Sequence, residues 1–307
     1  MRNLFVQKLH KLITNDPRVI LLTADLGFGA FECFEPYRNK QYFNVGICEQ
    51  LMASMAAGLS LEGFKVFIYS IGIFPSLRCL EQIRNDISYH DCTVTIVTTG
   101  VGFSYGSLGM THHCVQDIGV IRSIPNIDIF TPSNSYEMNE VFNDIDGISY
   151  LRIDKSELDL IPKNRLSDSF CFCYFQNDKF EEKEKTLILS HGSIGSISLP
   201  FLKNKFKIDF YTLACIKESK GLLDLCKKYK KIVTIEEHSE VNGFFCFVSS
   251  MLAKHKILKE IDFIALPENH VSIVGDQNYL REELKLNSEA LYSKILEFED
   301  FNAKKFS

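Results

Sequence analysis

Five consecutive residues, Val19-Ile20-Leu21-Leu22-Thr23, contain no charge and nothing more polar than a threonine. A strand with one wet face alternates; a strand apolar at every position must be covered on both faces, as in parallel sheets. Strand-like runs recur at 65–69, 94–98, 127–130 and 150–153, with a shorter one at 42–45. Between them lie helical spacings at 3–14, 77–87, 118–123 and 135–143. Strands alternating with helices predict a parallel, doubly wound α/β sheet. Residues 154–184 change character: a polar stretch with a proline, a strand-like run at 170–175, then a heavily charged segment. A second α/β pattern follows, with strands at 186–190, 208–213, 231–235 and 261–266. Its helices are expected after the turn His191-Gly192-Ser193 and at 222–229, 243–253 and 288–298. The chain therefore reads as two doubly wound domains, 1–165 and a smaller 186–307, joined by a linker at 166–185. The alternative for 154–184 is a long surface hairpin within one domain.

Within the first pattern, residues 43–58 (FNVGICEQLMASMAAG) stand out. The helix expected here is small and apolar on nearly every side, which predicts burial all round. Its first turn nevertheless carries a carboxylate, Glu49. Burying an unpaired charge is expensive and raises a carboxyl's pKa until it stays protonated. Two readings remain open. Glu49 meets the positive end of its helix, or it is held in an apolar pocket as an acid/base or hydrogen-bond partner for a bound cofactor.

Composition excludes several classes. With 307 residues, 46% of them hydrophobic, the chain can bury a sizeable core. The net charge of -5 and the lack of a Lys/Arg run argue against nucleic acid or a membrane surface as partner. No apolar run approaches the roughly 20 residues that span a bilayer. The N-terminus lacks the layout of a signal peptide and reads as an amphipathic helix with Leu4, Leu9, Leu12 and Ile13 near one face. None of the ten cysteines forms a CxxC pair; Cys171 and Cys173 are spaced for one face of a strand. Buried free thiols in a reducing cytoplasm are the expectation.

Ligands of open parallel sheets sit beyond the carboxyl ends of the strands. Three elements of the first half end there: Asp25, the turn before Glu49, and the loop 100–106 that leads to Thr111-His112-His113. The loop GVGFSYG fits neither a P-loop nor GxGxxG. Adjacent histidines rarely face one metal, so a single histidine serving as acid/base or oxyanion partner is the better reading.

Three segments carry a resemblance to a known family: FNVGICEQLMASMAAGL, YGSLGMTHHCVQDIGVIRSIPNIDIFTPSN, and TLILSHGSIGS together with VTIEEHSEVNGFF. Over nearly its whole length the chain resembles the C-terminal half of a transketolase-type thiamine diphosphate enzyme, the pyrimidine-binding domain followed by the C-terminal domain. The resemblance implies that Glu49 hydrogen-bonds ring nitrogen N1′ of the cofactor's aminopyrimidine. That contact favours the imino tautomer that takes the thiazolium C2 proton, and it suits a carboxyl kept protonated. An aromatic should stack on the pyrimidine, with Phe74 first choice and Tyr69 second. His112 corresponds to the loop histidine that contacts substrate oxygens, with His113 beside it. Arg152 falls where the family can place a substrate-phosphate arginine. Asp25 lies in a T-A-D-L element like the family's.

Departures from the pattern are equally informative. The family's ketose-recognising Asp, four residues before the loop histidine, is replaced by Leu108, and its His-Asp element by Gly100-Val101. Substrate recognition is therefore expected to differ, with a sugar or sugar phosphate as substrate. The diphosphate- and metal-binding Gly-Asp-Gly sequence of the family is absent; Asp146-Gly147 is preceded by Ile145. The resemblance thus implies an N-terminal transketolase-like subunit as partner, supplying the Mg²⁺ or Ca²⁺ ligands in an α2β2 assembly located in the cytoplasm. The implied activity is transfer of a two-carbon ketol unit between sugars. The alternatives are the β subunit of a 2-oxoacid dehydrogenase, a reaction like that of 1-deoxyxylulose-5-phosphate synthase, or a non-catalytic homologue acting as a structural partner. A stand-alone nucleotide-binding α/β protein is disfavoured by the loop sequences.

Overall fold

The computed structural model describes residues 1–203 and 206–303. The first sheet contains β1 (Val19–Thr23), β2 (Tyr42–Asn44), β3 (Lys65–Ile71), β4 (Val94–Thr99), β5 (Asp128–Phe130) and β6 (Ser149–Ile153). They lie in the order β2-β1-β3-β4-β6-β5, and every pairing is parallel. All five residues of β1 are buried, as a strand covered on both faces must be. On one face, helix α1 (Arg2–Asn15) buries Phe5, Val6, Leu9 and Ile13. Phe5 is packed among the rings of Phe67, Tyr69 and Phe142, with centroids 6.0–6.4 Å away. On the other face, α2 (Glu49–Leu61) sets Met52, Ala53, Ala56 and Ala57 against Ile20, Leu22, Val66 and Ile68.

Burial of α2 departs from the expectation. Gln50, Leu51, Ser54, Gly58 and Leu61 are exposed, so only one side of this apolar helix is covered by its own chain. The helix expected at 77–87 is also irregular. Its hydrogen bonds widen to the π pattern over Phe74–Arg78 and Ile83–Ser88, with a single α turn, α3 (Leu80–Gln82), between them. Short helix α4 (Asp117–Ile121) and α5 (Ser135–Asp144) complete the first domain. The Asn134 side chain caps α5 by accepting the Glu137 N–H at 3.0 Å, and the Glu137 carboxylate returns to the Ser133 N–H at 2.6 Å.

The second sheet runs β12-β11-β9-β10-β8-β7. Parallel strands β9 (Thr186–Ser190), β10 (Ile208–Leu213), β11 (Lys231–Ser239) and β12 (Glu260–Leu266) are extended by antiparallel β8 (Cys171–Phe175) and β7 (Asn164–Arg165). Part of the 166–185 stretch is thus sheet, which explains its Cys-Phe-Cys-Tyr-Phe run. The charged segment after it is tied back to β10, where Lys185 Nζ reaches buried Asp209 at 2.7 Å and the Asn177 N–H donates to the same carboxylate at 2.8 Å. Helices α6 (Lys220–Lys228), α7 (Phe244–Lys254), α8 (Gln277–Glu283) and α9 (Ser288–Ala303) surround this sheet. The segment expected to be an ordinary helix after His191-Gly192-Ser193 is instead 3₁₀ over Gly192–Lys203, with Pro200 inside it.

All ten cysteines are free thiols, and seven are buried. Among the described residues, no helix is long and apolar enough to cross a membrane. Phe5→Ala empties a site walled by three aromatic rings. Urea unfolding should show a loss of about 3–5 kcal/mol, the usual cost of deleting a buried phenylalanine.

Candidate functional site

Strands β1 to β4 end on one side of the sheet, and the segments that follow them gather there. Glu49 opens α2 with only 2% of its surface exposed. Its charge is not left unpaired, because the Arg78 Nη1 donates to Oε2 at 2.7 Å. Arg78 also lies over the Phe74 ring, Cζ to centroid 4.7 Å. His112 meets the same ring edge-on at 5.4 Å, and its Nδ1 is 3.0 Å from the Thr111 hydroxyl. Phe74, Arg78, Thr111, His113, Gln116 and His270 are among the residues lining a cleft of about 760 Å³. Glu49, Phe74 and His112 are therefore brought together, with Arg78 as the joint between them.

His113 is the more deeply set histidine. It is buried edge-on against Phe103, with Nε2 3.3 Å from the Gly106 carbonyl. Burial lowers its pKa, with the nearby His112 acting in the same direction. A neutral ring that donates from Nε2 leaves Nδ1 as an acceptor, and Nδ1 has no protein partner.

The three remaining sequence candidates do not line this cleft. Tyr69 is buried on the opposite face of β3 from α2, stacked with Phe5 at 6.3 Å and edge-on to Phe31 at 4.6 Å. Alternation along the strand turns Ile68 toward α2 and Tyr69 toward α1, so Tyr69 does not stack beside Glu49. Arg152 is only 4% exposed, and its guanidinium is consumed by Asp117, with Nε to Oδ2 at 2.7 Å and Nη2 to Oδ1 at 3.1 Å. It is a buried ion-pair partner, not a free phosphate ligand. Burial by itself would raise the pKa of Asp117, but the Arg152 charge, with His238 and the Tyr150 hydroxyl, draws it below the usual value. Asp25 takes the left-handed conformation (φ 54°) and exchanges hydrogen bonds with Asn44 at 3.0 Å, which closes the ends of β1 and β2.

The second domain holds the histidine loop from behind. Glu237 accepts the Phe103 N–H at 2.9 Å and is itself paired with Arg281. Gly102 (φ +60°) lies so close that a Cβ would meet the Glu237 carboxyl carbon at 2.7 Å. The Gly119 N–H donates to His238 Nε2 at 3.3 Å, and the Ser239 N–H to the Val115 carbonyl at 2.8 Å. Glu236 accepts the Phe244 and Phe245 N–H groups at the start of α7, at 2.6 and 2.8 Å. Burial raises its pKa to about 7.

The family "Transketolase, pyrimidine binding domain" matches residues 1–158, more than half of the chain. The chain belongs to the transketolase family. As a transketolase homologue it is 25% identical over 306 residues to an apulose-4-phosphate transketolase subunit of Actinobacillus succinogenes, covering 96% of this chain and 97% of that one. It is 27% identical to a 1-deoxy-D-xylulose-5-phosphate synthase of Alkaliphilus oremlandii, covering 93% of this chain but 47% of that enzyme. A split-gene transketolase, described as an inactive β4 tetramer, shares the fold with a TM-score of 0.78 at 22% identity, covering 96% of each chain. The fold is thus that of the pyrimidine-binding and C-terminal domains of this family, and the chain aligns over its length with a protein named as a subunit.

The transketolase assignment gives the site a chemical test. A buried carboxylate at a helix start, with a planar cation bridging it to an aromatic ring, fits the aminopyrimidine half of thiamine diphosphate. The metal half finds no such fit, because the described residues hold no group of three or more His, Cys, Asp or Glu side chains able to bind an ion. Arg78, Gln116 and His270 were not singled out from sequence. Arg78 follows Glu49 by 29 residues and His270 comes from the other domain, so no local spacing marks either. For Arg152, Arg152→Met would leave the Asp117 carboxylate buried without its counter-charge. Denaturant unfolding should show a loss of about 3–5 kcal/mol.

Proposed function

We propose that this chain is the pyrimidine-binding subunit of a two-component transketolase-like enzyme that transfers a two-carbon ketol unit between sugars or sugar phosphates. The observation that carries the reading is Glu49, a carboxylate buried at the start of α2 and joined through Arg78 to Phe74 and a large cleft. When bound, thiamine diphosphate supplies the nucleophilic carbanion that accepts and releases the two-carbon unit. Glu49 holds ring nitrogen N1′ of its aminopyrimidine and sets the proton position there. Phe74 offers the stacking face. His112, with Thr111, offers a polar contact for a substrate oxygen beside Phe74, and His113 lines the cleft.

The diphosphate and its Mg²⁺ or Ca²⁺ are assigned to an N-terminal subunit, in an α2β2 assembly. Two observations support that division: this chain lacks both a Gly-Asp-Gly sequence and a metal-ligand cluster among its described residues. A reaction like that of 1-deoxyxylulose-5-phosphate synthase is the second reading within the same cofactor chemistry, favoured by the likeness to such an enzyme over 93% of this chain.

Calorimetry with thiamine diphosphate and Mg²⁺ tests the division of labour. The chain alone should bind weakly and show no turnover, while a mixture with its N-terminal partner should bind tightly. Turnover by the purified single chain would overturn the two-component reading. In the assembled enzyme, Glu49→Gln should lower kcat by at least about 100-fold, the lower range for loss of a positioned acid/base group. Its unfolding midpoint should stay near that of the parent. Near-normal turnover by this variant would remove Glu49 from the site.

A further inference from the structure

A single guanidinium makes both of the contacts that the proposed site asks of an aminopyrimidine ring. The Arg78 Nη1 is 2.7 Å from Glu49 Oε2, and its Cζ stands 4.7 Å from the centre of the Phe74 ring. Guanidinium and aminopyrimidine are alike in the features that matter here: both are planar, delocalised, carry in-plane nitrogen and stack on aromatic faces. They cannot hold the same carboxylate oxygen and the same ring face together.

We propose that Arg78 is a placeholder, occupying the pyrimidine position in the free chain and leaving it when the cofactor loads. The proposal rests on the reading of Glu49 and Phe74 given above. Its physical need follows from burial. Glu49 is almost inaccessible, and a buried carboxylate without a counter-charge is strongly destabilising. Before loading, Arg78 is the counter-charge; on loading, Glu49 takes a proton from solvent and donates it to ring nitrogen N1′, so that no unpaired charge is left when the arginine departs. The exit is already open, because the Arg78 side chain is 46% exposed and lines the cleft shared with Thr111 and His270. It can swing outward while its charge stays hydrated. The residue also ends the π-bonded segment Phe74–Arg78, a helix irregularity often found at functional positions. Cys79, the next residue, is buried, so the backbone stays anchored while the arginine side chain moves.

A placeholder lowers apparent affinity by the fraction of chains in which the site is vacant. The test uses the full chain and a neutral fragment, 4-amino-2,5-dimethylpyrimidine, followed by NMR titration. Arg78→Met should bind the fragment about tenfold or more tighter than the parent, because the competitor is gone. Arg78→Lys, which keeps a charge for Glu49 but cannot stack flat on Phe74, should fall between them. This variant also keeps the test decisive if the methionine variant does not fold. In the parent chain, the Arg78 Nε–H resonance should shift on titration as the side chain is displaced. Fragment binding that is equal in all three chains, or weaker in the variants, would overturn the placeholder while leaving the site in place. Absence of binding to any of them would overturn the site reading and the placeholder with it.

Discussion

The buried pair of Arg152 and Asp117 fixes the geometry on which the cleft depends. Arg152 projects from β6, between β4 and the edge strand β5 of the first sheet, while Asp117 is the first residue of α4, directly after the histidine loop. Two charge-assisted hydrogen bonds join them, the Tyr150 hydroxyl donates a third to Asp117 at 2.8 Å, and Arg152 Nη2 approaches the Cys114 carbonyl at 3.4 Å. Such a pair contributes little net stability over an apolar replacement, because desolvation offsets the attraction. Its effect is positional. Neither partner can be removed or shifted without stranding the other, so the segment 114–117 has one location relative to β6. His113 is the residue immediately before that segment.

The same loop is held from the second domain by the motif Glu236-Glu237-His238, whose three side chains divide the work. Glu236 turns back to its own domain and closes the N-terminus of α7. The fit is close enough that a Cβ on Gly243 would lie 2.1 Å from its carboxylate oxygen. Glu237 and His238 face forward and accept backbone N–H groups of Phe103 and Gly119. Both are bonds to main chain, one in the loop and one in α4, and Gly102 adds a position beside Glu237 where no side chain fits. Of the substitutions that set this chain apart from the family pattern, Leu108 is exposed on this loop, whereas Gly100, with φ +72° and no room for a Cβ beside Tyr105, helps to set its path. Specificity can change at Leu108 without loss of the fold.

Much of the architecture was legible because it rests on local rules. Continuous apolar runs located most of the strands and most of their ends within a residue or two, but β11 runs four residues past the expected 235 and β7 was not expected. Glu49 was legible for a different reason, as a charge in a helix that otherwise had none. The failures came where a residue's role depends on a partner distant in sequence. Tyr69 and Phe74 are both aromatics near a helix start, but the pleat of β3 turns Tyr69 toward α1, whereas Phe74 lies beyond the strand in the π-bonded segment whose Arg78 meets Glu49. Arg152 reads alike as an anion ligand or an ion-pair partner until Asp117 is seen beside it. The 3₁₀ run at Gly192–Lys203 is apolar enough for a helix, but Gly195 packs so closely that a Cβ would meet the Phe210 ring at 2.9 Å. That constraint comes from β10, not from the segment itself.

The burial of α2 shows how a correct pattern can outrun a single chain. Its sequence is apolar around the whole circumference, yet this chain covers only the side carrying Met52, Ala53, Ala56 and Ala57. Leu51 and Leu61 remain 53% and 62% exposed, and Ile47, just before the helix, 74%. Ile47 precedes Glu49 by two residues and Leu51 follows it by two, so the uncovered side borders the candidate site. Exposed apolar surface at a polar cleft is costly to maintain in water and marks a place that something else covers. In the two-component reading, the chain that covers this helix also supplies the diphosphate and metal groups that the described residues lack. Completion of the hydrophobic surface and completion of the active site would then be one event, and Arg78 would guard Glu49 until it occurs.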